Sequence, residues 1–372
     1  MCRSRHIPKL AYAAMKKLLT LLMVPTLGIS TSLPDQIHLI RNPTHHVHLF
    51  PAYTPTAQAE QGRLIIIGDV HGMFNELQSL LRKTQYCRSN GDRIIFTGDL
   101  VNKGPDSAGV VQCAMDLNAS SVRGNHEDKV LRVWAEAQEA RLHAEAQGKD
   151  GRKALKKFEA GLSKKKRAAL DVARSLSSEQ QHWIASLPVA IDLAHLPGMG
   201  HCIVVHGGLV PGVSLENQEP WAMYNIRALI DINHFGAKSE KDAYKATIAE
   251  RLTDMRPGIE PTKTQLSNAK QELLATYGEA GFIPTGEFHD GTWWVETWNE
   301  REKAKPKESR LTVIYGHDSK RSTQEKDFSI GLDSRCVEGG MLTALVLQLK
   351  EGSDVRSSEL GRSLVSVSCH DE

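Results

Sequence analysis

The chain is 372 residues long, 40% of them apolar and 24% charged, a balance that excludes a wholly disordered, fibrous or multi-span membrane protein. Its 46 basic and 44 acidic residues leave a formal charge of +2, so there is no global attraction for polyanions and specific nucleic-acid binding is not expected. At about 150 residues per domain the length allows two domains, although α/β enzymes run past about 250 as one.

The first 34 residues carry five basic groups (Arg3, Arg5, Lys9, Lys16, Lys17), and no acid precedes Asp35. Lys17 is followed by 17 uncharged residues interrupted at Pro25, short of the roughly 20 apolar residues a spanning helix needs. With the small residues Gly28 and Ser30 beyond it, this pattern predicts a signal peptide or a short signal anchor. Entry to the secretory pathway and membrane association through the N-terminus follow as expectations, with a mitochondrial leader and a plain cytosolic tail as the alternatives. Residues 35–61 lack periodicity and read as a linker, whose His45, His46 and His48 are expected to be solvated. Segment 1–61 is thereby set apart from a catalytic domain expected over 62–350 and a tail over 351–372. The six cysteines (2, 87, 113, 202, 336, 369) include no CxxC pair. Neither a zinc ribbon nor a thioredoxin-like motif is present, and reduced, packed thiols are expected.

From Arg63 onward, short β-branched runs each end in a polar cluster. RLIIIGDVHG (63–72) ends in Asp69 and His71, and DRIIFTGDLVNKGPDS (92–107) passes through Asp99. SSVRGNHED (120–128) carries Arg123, Asn125 and His126, HCIVVHGG (201–208) carries His206, and LTVIYGHD (311–318) carries His317. Continuous apolar runs of this length suit buried strands. The intervening MFNELQSLLRK and SAGVVQCAMDL have helical spacing. Alternation of strand and helix predicts a layered α/β fold with functional loops at the strands' carboxyl ends. FSIGLD (328–333) and MLTALVLQL (341–349) read as a closing hairpin through Gly339 and Gly340.

Two helical inserts are expected, over about 128–187 and 214–285. Between 141 and 180 there are eleven Lys/Arg against five Asp/Glu, which reads either as a solvated helix face or as a patch that attracts a polyanionic substrate.

The strand-end clusters supply ligands for two divalent ions. With Asp99 bridging, one ion takes Asp69, His71 and Asp99, and the other takes Asp99, Asn125, His206 and His317. Oxygen and imidazole donors suit Zn, Mn, Fe or Co rather than a thiolate-seeking metal. Ions so bridged lie about 3.5–4 Å apart, close enough to share a hydroxide and clamp a phosphoryl group for in-line attack. His126, next to a ligand without being one, suits a general acid for the leaving oxygen. Arg123 and Lys103 would neutralise the phosphate oxygens.

GDVHG, GDLVNKG, RGNHE, HGG and GHD, in this order, resemble the calcineurin-like metallophosphoesterases of the phosphoprotein phosphatase superfamily, over about 63–349. The resemblance implies a two-sheet sandwich flanked by helices (α/β/β/α), and it implies the same metal roles for the six residues above and the acid role for His126. The chain departs from the Ser/Thr protein phosphatases, which have Asp-Arg-Gly where Asn102-Lys103-Gly104 stands here. GLDSRCVEGGMLTALVL (331–347) instead resembles the end of diadenosine tetraphosphatase-like (ApaH-like) enzymes. Among these, the fungal vacuolar, zinc-dependent endopolyphosphatases share the basic, apolar N-terminus. Arg335 occupies a position that is usually Gly in this group, so either the loop is rearranged or Arg335 adds a phosphate contact. Asn102 replaces an acid that would orient His126, which weakens the tuning of that acid.

The resemblance thus implies a hydrolase of phosphoanhydride bonds, with inorganic polyphosphate as the leading substrate and the vacuole as its compartment. Hydrolysis of diadenosine tetraphosphate, of an RNA cap or of phosphoproteins is the alternative, and an inactive binding module is the reading from another class. Trp293, Trp294 and Trp298 are expected to pack in the core rather than to hold a nucleobase.

Overall fold

The computed structural model describes residues 37, 47–49, 62–232, 248, 262–287, 291–349 and 360–369. The expected leader, and with it the N-terminal membrane contact, lies outside the described residues. Among those described, no helix is long and apolar enough to cross a membrane.

The first half alternates as its sequence predicts. Strand β2 (Leu64–Ile67) leads to helix α1 (Phe74–Lys83), then β3 (Arg93–Phe96), α2 (Ser107–Asp116) and β4 (Ser120–Ser121). A helical insert follows: α3 (Asn125–Ala146), α4 (Gly151–Ala160), α5 (Lys164–Ser175) and α6 (Ser178–Ala185). Then come β5 (Ala190–Leu196), β6 (Gly200–Val205), α7 (Pro220–Asn225), β7 (Ala228–Asp231), α8 (Lys263–Tyr277) and β8 (Phe282–Thr285). The chain closes with β9 (Thr292–Trp293), α9 (Trp294–Ala304), β10 (Leu311–Tyr315), β11 (Gln324–Lys326), β12 (Ser329–Gly331), β13 (Met341–Leu349) and β14 (Leu360–Ser368). Strand β1 (Val47–Leu49) precedes them all.

Two large sheets form, one ordered β1-β5-β6-β10-β12-β11 and the other β14-β13-β2-β3-β4. The two-residue period of each strand distributes its side chains between two cores. Leu64 and Ile66 face an inter-sheet core with Ile95, Val204, Ile314 and Leu345, whereas Ile65 and Ile67 face helices α1–α6. On the first sheet, Ile203, Val205, Val313 and Tyr315 turn the other way, to a third layer built around α9 and β7. The layering is the expected α/β/β/α. Ile65, Ile66 and Ile67 are fully buried, each contributing about 1.5–3 kcal/mol of transfer free energy.

Within each sheet the strands that carry functional loops run parallel: β2 with β3 and β3 with β4, then β6 with β10 and β10 with β12. Parallel strands put all their carboxyl ends on one edge, which is how residues as far apart as Asp69 and His317 meet.

Several expectations are corrected. FSIGLD and MLTALVLQL do not form a hairpin: β12 joins β10 in the first sheet, and β13 joins β2 and β14 in the second. Leu360–Ser368, expected in the tail, is a strand paired residue for residue with β13, so the fold continues past 350. Val47–Leu49, expected in the linker, is a parallel edge strand on β5, with His48 exposed. The second insert contributes β7 and β8 of a small sheet as well as helices, and residues 233–247 and 249–261 of it lie outside those described. The Trp expectation stands for Trp294 and Trp298, which are buried in α9, with Trp294 edge-on to Tyr315. Not all thiols are reduced: Cys336 and Cys369 form a disulfide, while Cys87, Cys113 and Cys202 are free. Two cysteines with no motif between them give no sequence signal until β14 is known to return beside the 333–340 loop.

This bond closes a loop across 33 positions, which in the chain-entropy account stabilises the fold by about 3–4 kcal/mol. Cys369→Ala should therefore lower the urea midpoint, and dithiothreitol should bring the parent protein down to the variant's midpoint. Identical midpoints for oxidised parent and variant would show that the bond contributes nothing to stability.

Candidate metal centre

The loops after β2, β3, β4, β6 and β10 bring all six expected ligands together. His71 Nε2 lies 3.4 Å from Asp99 Oδ2, and His206 Nε2 lies 3.3 Å from Asp99 Oδ1. The two oxygens of Asp99 thus face two different imidazoles, the arrangement a bridging carboxylate requires. Asp69 is 4.0 Å from His71, and both its oxygens lie 3.1 Å from the His317 backbone N–H, which donates to them. Asn125 Oδ1 is 3.1 Å from His206 Nε2, and the rings of His206 and His317 stand edge to face at 4.9 Å. Donor atoms of Asp69, Asp99 and His206 all fall within 4.8 Å of one another, as do those of His71, Asp99 and His126.

The second ring nitrogen of each histidine tests whether metals fit. His71 Nδ1 donates to the Val101 carbonyl (3.2 Å), His206 Nδ1 to that of Thr97 (2.8 Å) and His317 Nε2 to that of Asn225 (3.2 Å). A carbonyl only accepts, so in the neutral ring each bond fixes the tautomer whose other nitrogen offers a lone pair to the site, as metal-bound histidines do. At His206, burial favours this neutral form while the Asp99 carboxylate raises its pKa, a pull that a bound cation would oppose. Burial pushes His71 down to about 4 and His317 well below the usual imidazole range, keeping both neutral. For Asp99, burial favours the neutral acid, but His206, His126 and His71 together hold it well below the usual carboxylate range. The donor set fits two divalent ions.

Local backbone geometry explains the motif spellings. His71, Asp99, Asn102, Lys103 and His317 all have positive φ, a conformation that costs of order 1–3 kcal/mol each and gathers at functional sites. The glycines of GHD and RGN leave room for carboxylates: a Cβ on Gly316 would overlap Asp69 Oδ1, and one on Gly124 would overlap Asp99 Oδ1.

Lys103 Nζ lies 2.8 Å from His71 Nε2, so its ammonium and a metal are alternatives for one lone pair. Asn102 and His126 make a directional pair. Asn102 Oδ1 accepts from the Lys103 backbone N–H at 2.9 Å, which leaves the amide nitrogen facing His126 Nδ1 at 3.0 Å. That nitrogen donates, so Nδ1 accepts and Nε2 carries the hydrogen. Burial also pushes His126 down to about 3, against the pull of Asp99. His126 is therefore a neutral N–H donor, a weaker acid than an imidazolium.

Arg123 is placed differently from its sequence expectation. Its guanidinium is 1% exposed, donates to the Ala185 carbonyl at 2.5 Å and lies 3.7 Å from Asp128. Arg335 is also redirected. Its backbone is left-handed at φ 66°, which accounts for glycine as the usual residue, and its side chain pairs with Glu338 at 2.8 Å rather than with the centre.

Three site residues escape the sequence reading. The buried carboxylate of Glu127 accepts from the backbone N–H groups of Asp99, Leu100, Val101 and Gly124; its signal is an acid in the first turn of α3. Arg227 donates to the His317 carbonyl at 3.4 Å and lies near enough to Asp99, Asp318 and Asp333 to feel their charge. Asp333, after β12, is buried against Asp69, and burial raises its carboxyl above the usual range. Neither Arg227 nor Asp333 stands in a motif whose spacing distinguishes it.

Carboxylates and imidazoles gathered beside phosphate-compatible cations at one sheet edge define a metal-dependent phosphoesterase. Residues 62–320 match the calcineurin-like phosphoesterase family, and the chain belongs to it. Members of this family use two divalent metals, and the chain is a hydrolase of phosphate esters or anhydrides. It is 24% identical, over 75% of its own length and 92% of the relative, to a symmetrical bis(5'-nucleosyl)-tetraphosphatase of Photorhabdus laumondii. A second such enzyme, from Coxiella burnetii, is 27% identical over 77% of this chain and 89% of the relative. A shorter match, 42% over 71 residues, covers only 25% of the Buchnera aphidicola enzyme of the same name. A solved structure provisionally named a diadenosine tetraphosphatase superposes with a TM-score of 0.54 at 25% identity, over 87% of this chain and 98% of that one.

Because both carboxylate oxygens of Asp99 face the centre, Asp99→Asn should reduce bound metal from two ions per chain to one or none. Turnover should fall on the order of 100-fold or more, with the far-ultraviolet circular dichroism unchanged. A variant with two ions and parental turnover would refute the bridging role.

Proposed function

We propose that this protein hydrolyses phosphoanhydride bonds within a short polyphosphate chain, with diadenosine tetraphosphate as the favoured substrate class. The observation that carries the choice of anhydride over ester is the donation from Asn102 to His126. An alkoxide leaving from a phosphoserine needs a strong acid to protonate it, whereas a leaving phosphate is stable as an anion near neutral pH. A neutral His126 can hydrogen-bond the departing oxygen but surrenders its proton poorly, so the site suits the second kind of leaving group. The near full-length relatives named for tetraphosphate hydrolysis support the same reading.

The centre divides the work among its own residues. Asp69, His71, Asp99, Asn125, His206 and His317 would hold two ions, zinc being the proposed pair given the imidazole-rich set, with Mn, Fe or Co as alternatives. When bound, such ions supply Lewis acidity and lower the pKa of water. Lys103 and the N-terminus of α3, which begins at Asn125, contribute positive charge for the equatorial phosphate oxygens. Glu127 keeps the Asp99 loop against that helix.

Inorganic polyphosphate is the second reading, and helices α4 and α5 favour it. Lys153, Lys156, Lys157, Lys164, Lys165 and Arg167 are exposed there, while Ala169, Leu170 and Ala173 fill the opposite face of α5. Lys166 pairs with Glu136 at 3.9 Å, ten residues along α3 from His126 and so about 15 Å from the centre. A long chain would bring phosphates to this face, whereas the four phosphates of a dinucleotide would not extend that far. An oxidising compartment on the secretory route, the vacuole included, is proposed from the N-terminal segment and is supported by the Cys336–Cys369 disulfide.

Purified protein loaded with Zn, Mn, Co or Mg should cleave diadenosine tetraphosphate and tripolyphosphate far faster than a phosphoseryl peptide. Greater kcat/KM on the peptide would overturn the anhydride reading. Asn102→Asp should raise peptide hydrolysis about 10-fold or more relative to the dinucleotide, because a carboxylate accepts from His126 Nδ1 and stabilises the imidazolium; an unchanged ratio would remove Asn102 from that role. Lys164, Lys165 and Lys166 changed together to Glu should raise KM for long polyphosphate alone, with steep salt dependence by analogy with nucleic acids. Equal effects on short and long substrates would leave α5 a solvated face.

A further inference from the structure

At the sheet edge opposite the metal centre lies a cavity of about 410 Å³, lined by the amino ends of β6 and β10 and by the turn from β11 to β12. Thr312 lines it, and His317 follows five residues later, so strand rise alone separates the cavity from the centre by about 16 Å. Its size is that of small-molecule sites.

Four cations line it, Lys307, Arg310, Lys326 and Arg362, with His195, against two acids, Glu308 and Asp327. Arg310 is held in place: Nε and Nη2 donate to the carbonyls of Lys305 (3.0 Å) and Lys303 (2.9 Å), and its guanidinium sits 5.5 Å from the Phe328 ring centre. Arg362 has Glu325 at 3.8 Å. Lys307 and Lys326 form no ion pair among the described residues. The walls between these charges are apolar, formed by Met199, Phe328 and Ile330. Low-dielectric walls focus the field of converging cations, so the cavity concentrates anions more strongly than an open lysine surface would. Lysine and arginine together match phosphate oxygens. A single orthophosphate would leave most of the volume to water, whereas linked phosphates could meet several of the cations at once.

We propose that this cavity is a second, non-catalytic anion site that takes a compound bearing several linked phosphates. The proposal rests on the cavity alone and holds whichever anhydride the metal centre cleaves. The chemistry is shared by a nucleoside triphosphate and by a bare inorganic chain. Met199, Phe328 and Ile330 give a nucleoside apolar surface that the inorganic chain does not use, and the two probes below separate these sources.

The test titrates the full-length, metal-loaded protein with adenosine 5'-(β,γ-imido)triphosphate and, separately, with inorganic imidotriphosphate, both resistant to hydrolysis. Calorimetry should find an equivalent bound beyond the metal centre, and that equivalent should persist in Asp99→Asn. In Lys307→Glu/Lys326→Glu its Kd should weaken roughly 10-fold or more, with hydrolysis of nitrophenyl phosphate unchanged. Lys307→Gln/Lys326→Gln should move it in the same direction by less, which guards against misfolding of the charge-reversed protein. Binding of both probes assigns a phosphate-chain site, and binding of the nucleotide alone assigns a nucleotide site. The proposal fails if neither probe binds beyond the centre, if the extra equivalent vanishes in Asp99→Asn, or if charge reversal leaves it intact.

Discussion

The carboxylate of Glu127 holds the centre in shape. It is fully buried and receives four backbone N–H groups, three from the loop after β3 and one from Gly124. Those bonds satisfy donors that the turn leaves without strand partners, and they tie the Asp99 loop to the first turn of α3. Burial and the nearby Asp99 charge push Glu127 up to about 7, opposing the N–H groups that favour its ionised form. Positive ions at the centre shift that contest toward the carboxylate. The scaffold and bound ions would therefore reinforce each other, since the ions would neutralise the negative charge that Asp99 and Glu127 bring together.

The same logic explains why so much of the site was legible in the sequence. Parallel strands deliver their carboxyl ends to one edge, so an apolar run followed by Gly-Asp, Gly-Asn-His or His-Gly-Gly reports both a strand and a ligand. Asp69, Asp99 and His317 could be read that way without knowing which sheet each strand joins. What stayed hidden depends on non-local pairing. β13 reads as the partner of β12 because they are neighbours in sequence, yet it inserts between β2 and β14, where Leu345 and Leu347 complete the inter-sheet core. The disulfide follows from that placement, because β14 ends beside the loop carrying Cys336. Arg227 was illegible for a related reason: its role comes from the fold of an insert against the His317 loop and not from any pattern around it.

Arg123 and Arg335 show that residue type alone does not assign a phosphate contact. Both are arginines within or beside motif loops, and both find protein partners instead. Arg123 gives its Nη2 to the Ala185 carbonyl beneath the surface and lies beside Asp128, while the backbone N–H of Arg335 donates to Asp333 at 3.1 Å and its guanidinium turns to Glu338. Positive charge reaches the buried carboxylates and imidazoles of the centre from Lys103 and Arg227, and from Lys129 at His126.

On the function proposed above, Asn102 would link this electrostatic arrangement to chemical selectivity. An aspartate at that position would add a negative charge beside His126 and draw it toward the imidazolium, at the expense of competing with the phosphate for the same cations. The amide removes that charge, takes its own orientation from the Lys103 backbone N–H, and sets His126 as a donor. Lys103, next in the chain, is left to balance the centre and its anionic substrate. A site arranged this way gives up strength in protonating a poor leaving group and gains attraction for a highly charged one. Phosphoanhydrides have both properties that such a trade favours, a good leaving group and a high charge, and phosphoserine has neither to the same degree.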